Sequence, residues 1–79
     1  MRVTVLYFAS LRDAAGCASE IVDVESMPLR ELYDGLKARH GFALPATRLR
    51  VARNDAFADW NVEAQEGDAI AFIPPVSGG

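Results

Sequence analysis

The sequence is poor in the residues that staple small proteins or hold metals. Cys17 is its only cysteine and His40 its only histidine. An intrachain disulfide, a CxxC redox pair and a Cys/His zinc cage are therefore excluded. Cys17 follows Gly16 in an expected turn and is assigned no role. Apolar runs are short: Val3 to Ala9, interrupted by Thr4, falls far below the roughly 20 residues that cross a bilayer. The N-terminus shows no basic segment, apolar segment and small-residue cleavage site, so a cytoplasmic location without membrane association is expected. A basic stripe is also missing, because 8 Lys and Arg residues are scattered among 11 acids for a net charge of −3. Nucleic acid is not an expected partner. No carboxylate pair, Ser/His/Asp set, Gly-rich phosphate loop or HExxH motif is present, so the chain is not expected to act as an enzyme alone, nor to bind a metal or cofactor.

What is there describes one folded domain. The 79 residues are 51% apolar and 24% charged, which fits a globular chain, and a chain this short buries about 60% of its unfolded surface in a single core. Arg2 to Phe8 alternates as a strand, with Val3, Val5 and Tyr7 on one side and Leu6 and Phe8 on the other. Ser10 to Gly16 predicts a loop with a short helical turn. Glu20 to Glu25 returns as a second strand, most simply in a hairpin with the first.

Ser26 is a candidate cap, and Pro28 suits a first helical turn, where its missing amide costs nothing. Leu29, Leu32, Tyr33, Leu36 and His40 then fall on one helical stripe, and Gly41 supplies a left-handed stop. A helix over about 27–40 follows, with His40 as a packed structural residue. Beyond the Pro45 loop, Leu49 to Arg53 reads as a strand closed by Asn54 and Asp55, and Ala56 to Asn61 as a short edge strand. After the Gln65 to Asp68 turn, Ala69 to Ile73 is apolar on both faces and fits an interior strand. Pro74 and Pro75 cannot donate to a sheet ladder and end the domain.

The order strand, strand, helix, strand, short strand, strand predicts an α+β fold of the ubiquitin-like β-grasp kind. It is a mixed sheet of about five strands on one main helix, with first and last strands parallel neighbours. The expected division is a globular domain over 1–73 and a tail over 74–79. The tail is where chemistry can live. Its two prolines favour extension, and six residues project the Gly79 carboxylate roughly 20 Å from the fold. Gly78 and Gly79 lack the Cβ that blocks a narrow channel. Val76, Ser77 and Gly78 are expected to thread that channel, and the tail to stay mobile until a partner orders it.

The segment from Gly67 through Pro74, Pro75, Val76, Ser77, Gly78 and Gly79 closely resembles the C-terminus of molybdopterin synthase small subunits. Phe8 to Arg12 is similar to that family's first strand and turn, and Val51 to Asn54 to its Val/Asn-containing strand end. Ala64 stands where the family often has leucine. The resemblance implies a sulfur carrier for molybdenum cofactor synthesis. An adenylating enzyme of the ubiquitin-activating kind uses ATP to activate Gly79, a thiocarboxylate forms, and its sulfur passes to cyclic pyranopterin monophosphate. That transfer occurs within a synthase heterotetramer of two small and two large subunits. Phe72, Ile73, Pro74 and Pro75 are the expected partner contacts, with one of Phe72 and Ile73 facing outward and both partners competing for one face. Three alternatives stay open: a carrier for thiamine thiazole synthesis, a modifier attached to lysines through Gly79, and a non-covalent β-grasp interaction module.

Overall fold

A computed structural model describes residues 1–75. The tail residues Val76, Ser77, Gly78 and Gly79, and the expectations placed on them, lie outside the described residues. The chain forms β1 (Arg2–Tyr7), α1 (Ala9–Ala15), β2 (Ser19–Asp23), α2 (Leu29–His40), a 3-10 turn (Ala46–Arg48), β3 (Arg50–Arg53), β4 (Ala56–Ala58) and β5 (Ala69–Ile73). The five strands make one mixed sheet in the order β2-β1-β5-β3-β4, the expected β-grasp arrangement. β1 and β5 are parallel, pairing Thr4 with Ala69 through Tyr7 with Phe72. The other three pairings are antiparallel.

Period-two alternation assigns the two sheet faces. Val3, Val5 and Tyr7 on β1 and Ile70 and Phe72 on β5 are buried, in one core with Leu29, Leu32, Tyr33 and Leu36 of α2. Tyr33 meets Phe72 edge-on at 5.0 Å between ring centroids, and Trp60 stacks on Phe72 at 5.9 Å. Ala64, the departure from the family's leucine, is fully buried and donates its amide to Met27 O.

Three local readings need correction. Ser10 to Ala15 belongs to a seven-residue helix, α1, which Gly16 closes at φ +77°, so β1 and β2 pair without a tight hairpin turn. Leu11 is its one buried residue, which explains the weak apolar period in the sequence. The main helix starts at Leu29 and not at Met27, because Pro28 keeps an extended ψ of 148°. Ser26 does not cap it. Its hydroxyl bonds Glu63, while the Leu29 and Arg30 amides donate to the backbone carbonyls of Val62 and Trp60. Gly41 does close the helix at φ +74°. Finally, β4 is cut to Ala56–Ala58 and follows a two-residue turn with Asn54 and Asp55 both at positive φ, the type I′ geometry of short hairpins.

Asp68 fixes the entry to β5. Its buried carboxylate accepts the Gln65 amide at 2.8 Å and Asn54 Nδ2 at 3.0 Å, while Asn54 Oδ1 accepts the Ala69 amide at 2.9 Å. At the other end of β1, Glu20 Oε1 accepts from Tyr7 Oη at 2.5 Å and from His40 Nε2 at 2.8 Å. A carboxylate can only accept, so Nε2 of His40 is the donor in this contact. This joins the end of α2 to β1 and β2. His40 thus has the structural role expected of it, packed also against Tyr7 and Phe42.

Burial drives the Glu20 carboxyl toward neutrality, but the hydrogen bonds from Tyr7 and His40 and the positive charges of His40 and Arg39 outweigh it. The net effect holds the group below its ordinary value of 4.5. A carboxyl more acidic folded than unfolded contributes stability above that ordinary value and loses it as pH falls through the lowered folded value. We therefore expect acid unfolding of Glu20→Gln to show a shallower decline below pH 4.5 than the native chain. Parallel acid limbs in denaturant titrations at stepped pH contradict the assignment.

Candidate functional site

The sheet has two faces and α2 covers one of them. Leu6, Ala71, Ala52 and Phe57 form one cross-strand row on the other, through the Leu6–Ala71, Ala71–Ala52 and Ala52–Phe57 pairings. Ile73 lies on the same face two residues after Ala71, and Phe8 two residues after Leu6. Phe8 and Phe57 are 46% and 60% exposed, although both are large and apolar. This is a contiguous apolar surface with no element of the described chain over it.

Because β1 and β5 run in the same direction, Phe8 and Ile73 emerge at the same end of the sheet. There they line a hollow of about 560 Å³ with Ala9, Ser10, Leu44, Pro74 and Pro75. A second hollow of about 280 Å³ continues from Phe8 and Ile73 toward Ala52 and Phe57. Two local features shape the rim. Ala9 sits at φ +50°, in the left-handed region that costs an alanine about 1 kcal/mol, and this turn leaves Phe8 outside while Leu11 goes into the core. On the opposite side, Tyr33 Oη donates to Leu44 O at 2.6 Å, tying the loop that carries Leu44 to α2. Burial, with a smaller effect of the Asp34 charge, raises the Tyr33 phenol above its ordinary value, so it stays a donor at neutral pH.

The structure separates the expected contact residues. Ile73, Pro74 and Pro75 come together at the hollow. Phe72 does not: it is 0% exposed, held under α2 between Tyr33 and Trp60. It leaves the contact set as a core residue, and Ile73 is the outward member of the pair. Sequence reasoning missed Phe57, Ala9 and Leu44 as lining residues. The signal for Phe8 was available, since one helix covers one face and Leu6 and Phe8 alternate onto the other. Leu44 carried none, because the Tyr33 bond that places it is tertiary. Among the described residues no cluster of His, Cys, Asp and Glu is arranged to hold a metal ion, and no helix is long and apolar enough to cross a membrane.

The ThiS family model matches residues 5–79, nearly the whole chain. The chain belongs to the ThiS family. Among relatives of this ThiS-family chain, the molybdopterin synthase sulfur carrier subunit of Drosophila sechellia is 35% identical over 83 residues, covering 100% of this chain and 92% of the relative. The crystal structure of the small archaeal modifier protein SAMP1 from Haloferax volcanii matches with a TM-score of 0.82 at 28% identity, covering 100% of both chains. The complex of subunits 1 and 2 of the molybdopterin-converting factor from Helicobacter pylori contains a chain that matches at TM-score 0.70 and 28% identity, again covering 100% of both.

The division of Phe72 from Ile73 is measurable. Phe72→Ala should destabilise the fold by about 3 to 5 kcal/mol, the cost of emptying a packed aromatic site. Ile73→Asp, on the uncovered face, should leave the denaturant midpoint close to the native one. Equal losses for both substitutions contradict the placement of Ile73.

Proposed function

We propose that this chain is the sulfur carrier of molybdenum cofactor synthesis, with the Gly79 carboxylate as its working group. The observation that carries the reading is that a central strand delivers Pro74 and Pro75 to the rim of an apolar hollow, in a chain the family model matches through residue 79. The 35% identity to a molybdopterin synthase sulfur carrier subunit supports it. An adenylating enzyme transfers AMP from ATP to the Gly79 carboxylate and releases pyrophosphate. A sulfur donor then displaces AMP and leaves a thiocarboxylate.

The sequence of steps is chemically reasonable for this chain. A carboxylate is a poor electrophile until one oxygen belongs to a good leaving group, whereas a thiocarboxylate is an ionised, soft nucleophile at neutral pH. The sulfur attacks cyclic pyranopterin monophosphate, water then cleaves the acyl–sulfur bond, and Gly79 returns as a carboxylate with the sulfur left on the pterin. ATP belongs to the adenylating partner, and the chain itself holds no cofactor. Catalytic side chains belong to the synthase large subunit, in a heterotetramer of two small and two large subunits. The chain of the molybdopterin-converting factor complex that matches this one supports a large-subunit partner.

A tail of six residues buries too little surface to hold a stable complex. The face bearing Phe8, Phe57 and Ile73 docks first and raises the effective concentration of Gly79 at the partner's active site. Adenylating enzyme and large subunit use that face in turn. The similarity to a small archaeal modifier protein favours a second reading, in which activated Gly79 is captured by a lysine amine. The likeness to the thiamine biosynthesis protein ThiS of Geobacter metallireducens, at TM-score 0.63 and 25% identity, keeps the thiamine thiazole pathway as a third, with the same thiocarboxylate and a different acceptor. Incubation with the adenylating enzyme, ATP and a sulfur donor should replace one oxygen of the chain by sulfur in the intact mass. The product should then convert cyclic pyranopterin monophosphate when the large subunit is added. Deletion of Gly79 should abolish both steps and spare docking. An unchanged mass contradicts the carrier reading, and lysine-linked conjugates without sulfur transfer favour the modifier.

A further inference from the structure

Arg50 opens β3 directly across from Ile73 of β5, at the end of the sheet where the tail leaves. Alternation puts it on the same face as Ala52, with the buried Val51 between them on the α2 side. Its guanidinium carbon lies 3.7 Å from the centroid of the Phe57 ring, and both side chains are exposed. Arg53 on the same strand is engaged by the Glu63 carbonyl at 3.4 Å and the Asp68 carboxylate at 3.9 Å. Arg50 forms no ion pair among the described residues. Neither Asp59, one step beyond the last β3–β4 pair, nor Asp55, which lines the second hollow with Phe57, pairs with it.

A guanidinium held over an aromatic ring keeps N–H donors free on its outer side, while the ring fixes the side chain and takes the place of water on one side. A partner closing over this apolar face must strip the remaining water from Arg50. A cationic surface, or one without acceptors, leaves those donors unpaired, which is unfavourable, and a neutral carbonyl meets them only singly and without charge. A carboxylate meets them in the two-point geometry that a guanidinium offers. The stacked cation thus makes the apolar face selective, admitting some apolar surfaces and penalising others. The net charge of −3 supplies no general attraction to an acidic partner, so the preference is local to this side chain.

We propose that Arg50, held on Phe57, is a specificity-determining residue of the docking face, recognising a partner surface that sets an Asp or Glu side chain against it. The proposal rests on the reading of this face as the surface that receives the synthase large subunit. The test is titration of the full chain against its cognate large subunit at low and high salt. Arg50→Glu should weaken binding by about tenfold or more at low salt, and Arg50→Gln by less. Arg50→Lys should recover only part of the loss, since it keeps the charge without the flat fork. The native complex should weaken with salt more steeply than the Arg50→Gln complex, a readout that lost packing alone does not move. Native-like affinity of Arg50→Glu at low salt, with Ile73→Asp impaired, overturns the role of Arg50 and leaves the docking face standing. Native-like affinity of Ile73→Asp overturns the docking face itself, and the proposal with it.

Discussion

The parallel pairing of β1 with β5 governs the position of everything else in this molecule. Parallel neighbours cannot be joined by a turn, so the intervening chain has to cross the sheet, and here it does so through α1, β2, α2, β3 and β4. The pairing runs from Thr4 with Ala69 to Tyr7 with Phe72. A slip of one residue on β5 exchanges Phe72 and Ile73 between the core and the open face. The Asp68, Asn54 and Ala69 hydrogen bonds at the start of β5 hold that register where the strand enters the sheet. A common strand direction also brings Phe8 and Ile73 out side by side, and the hollow at the tail exit is the consequence.

One helix against a five-stranded sheet leaves an imbalance. The α2 face is a closed core of aromatic and aliphatic side chains. The opposite face carries the apolar row of Leu6, Ala71 and Ala52, yet Phe8 and Phe57 remain exposed on it. A lone exposed hydrophobe is ordinary, whereas a connected set that borders the exit of the last strand is what the proposed docking face rests on. The strained Ala9 turn and the Tyr33 tie to Leu44 shape the rim of this surface.

Much of the architecture is legible in the residues themselves. The alternation of Val3, Val5 and Tyr7, the stripe from Leu29 to Leu36, the Gly41 stop and the doubly apolar Ala69 to Ile73 each state their element, because burial repeats with its period. Features that depend on distant partners are not legible. α1 buries only Leu11, so its seven residues carry almost no periodic signal. The first amides of α2 are met by Val62 and Trp60, which come about thirty residues later, so the nearby Ser26 misleads. In the site, Pro74 and Pro75 announce the exit of the chain. The choice of Ile73 over Phe72 needs the register of β5, and Leu44 needs the Tyr33 hydrogen bond.

The central claim is that the face beside the end of β5 receives the partner and thereby directs the tail. Backbone amide exchange of the full chain, measured free and with the cognate large subunit, maps that contact directly. The account predicts new protection at Phe8 to Ser10, along β3 and β4 beside Phe57, and through the segment that follows Ile73, with the outer surface of α2 unchanged. Protection concentrated on α2 or on the free edge of β2, with the open face and the segment after Ile73 unaltered, contradicts it.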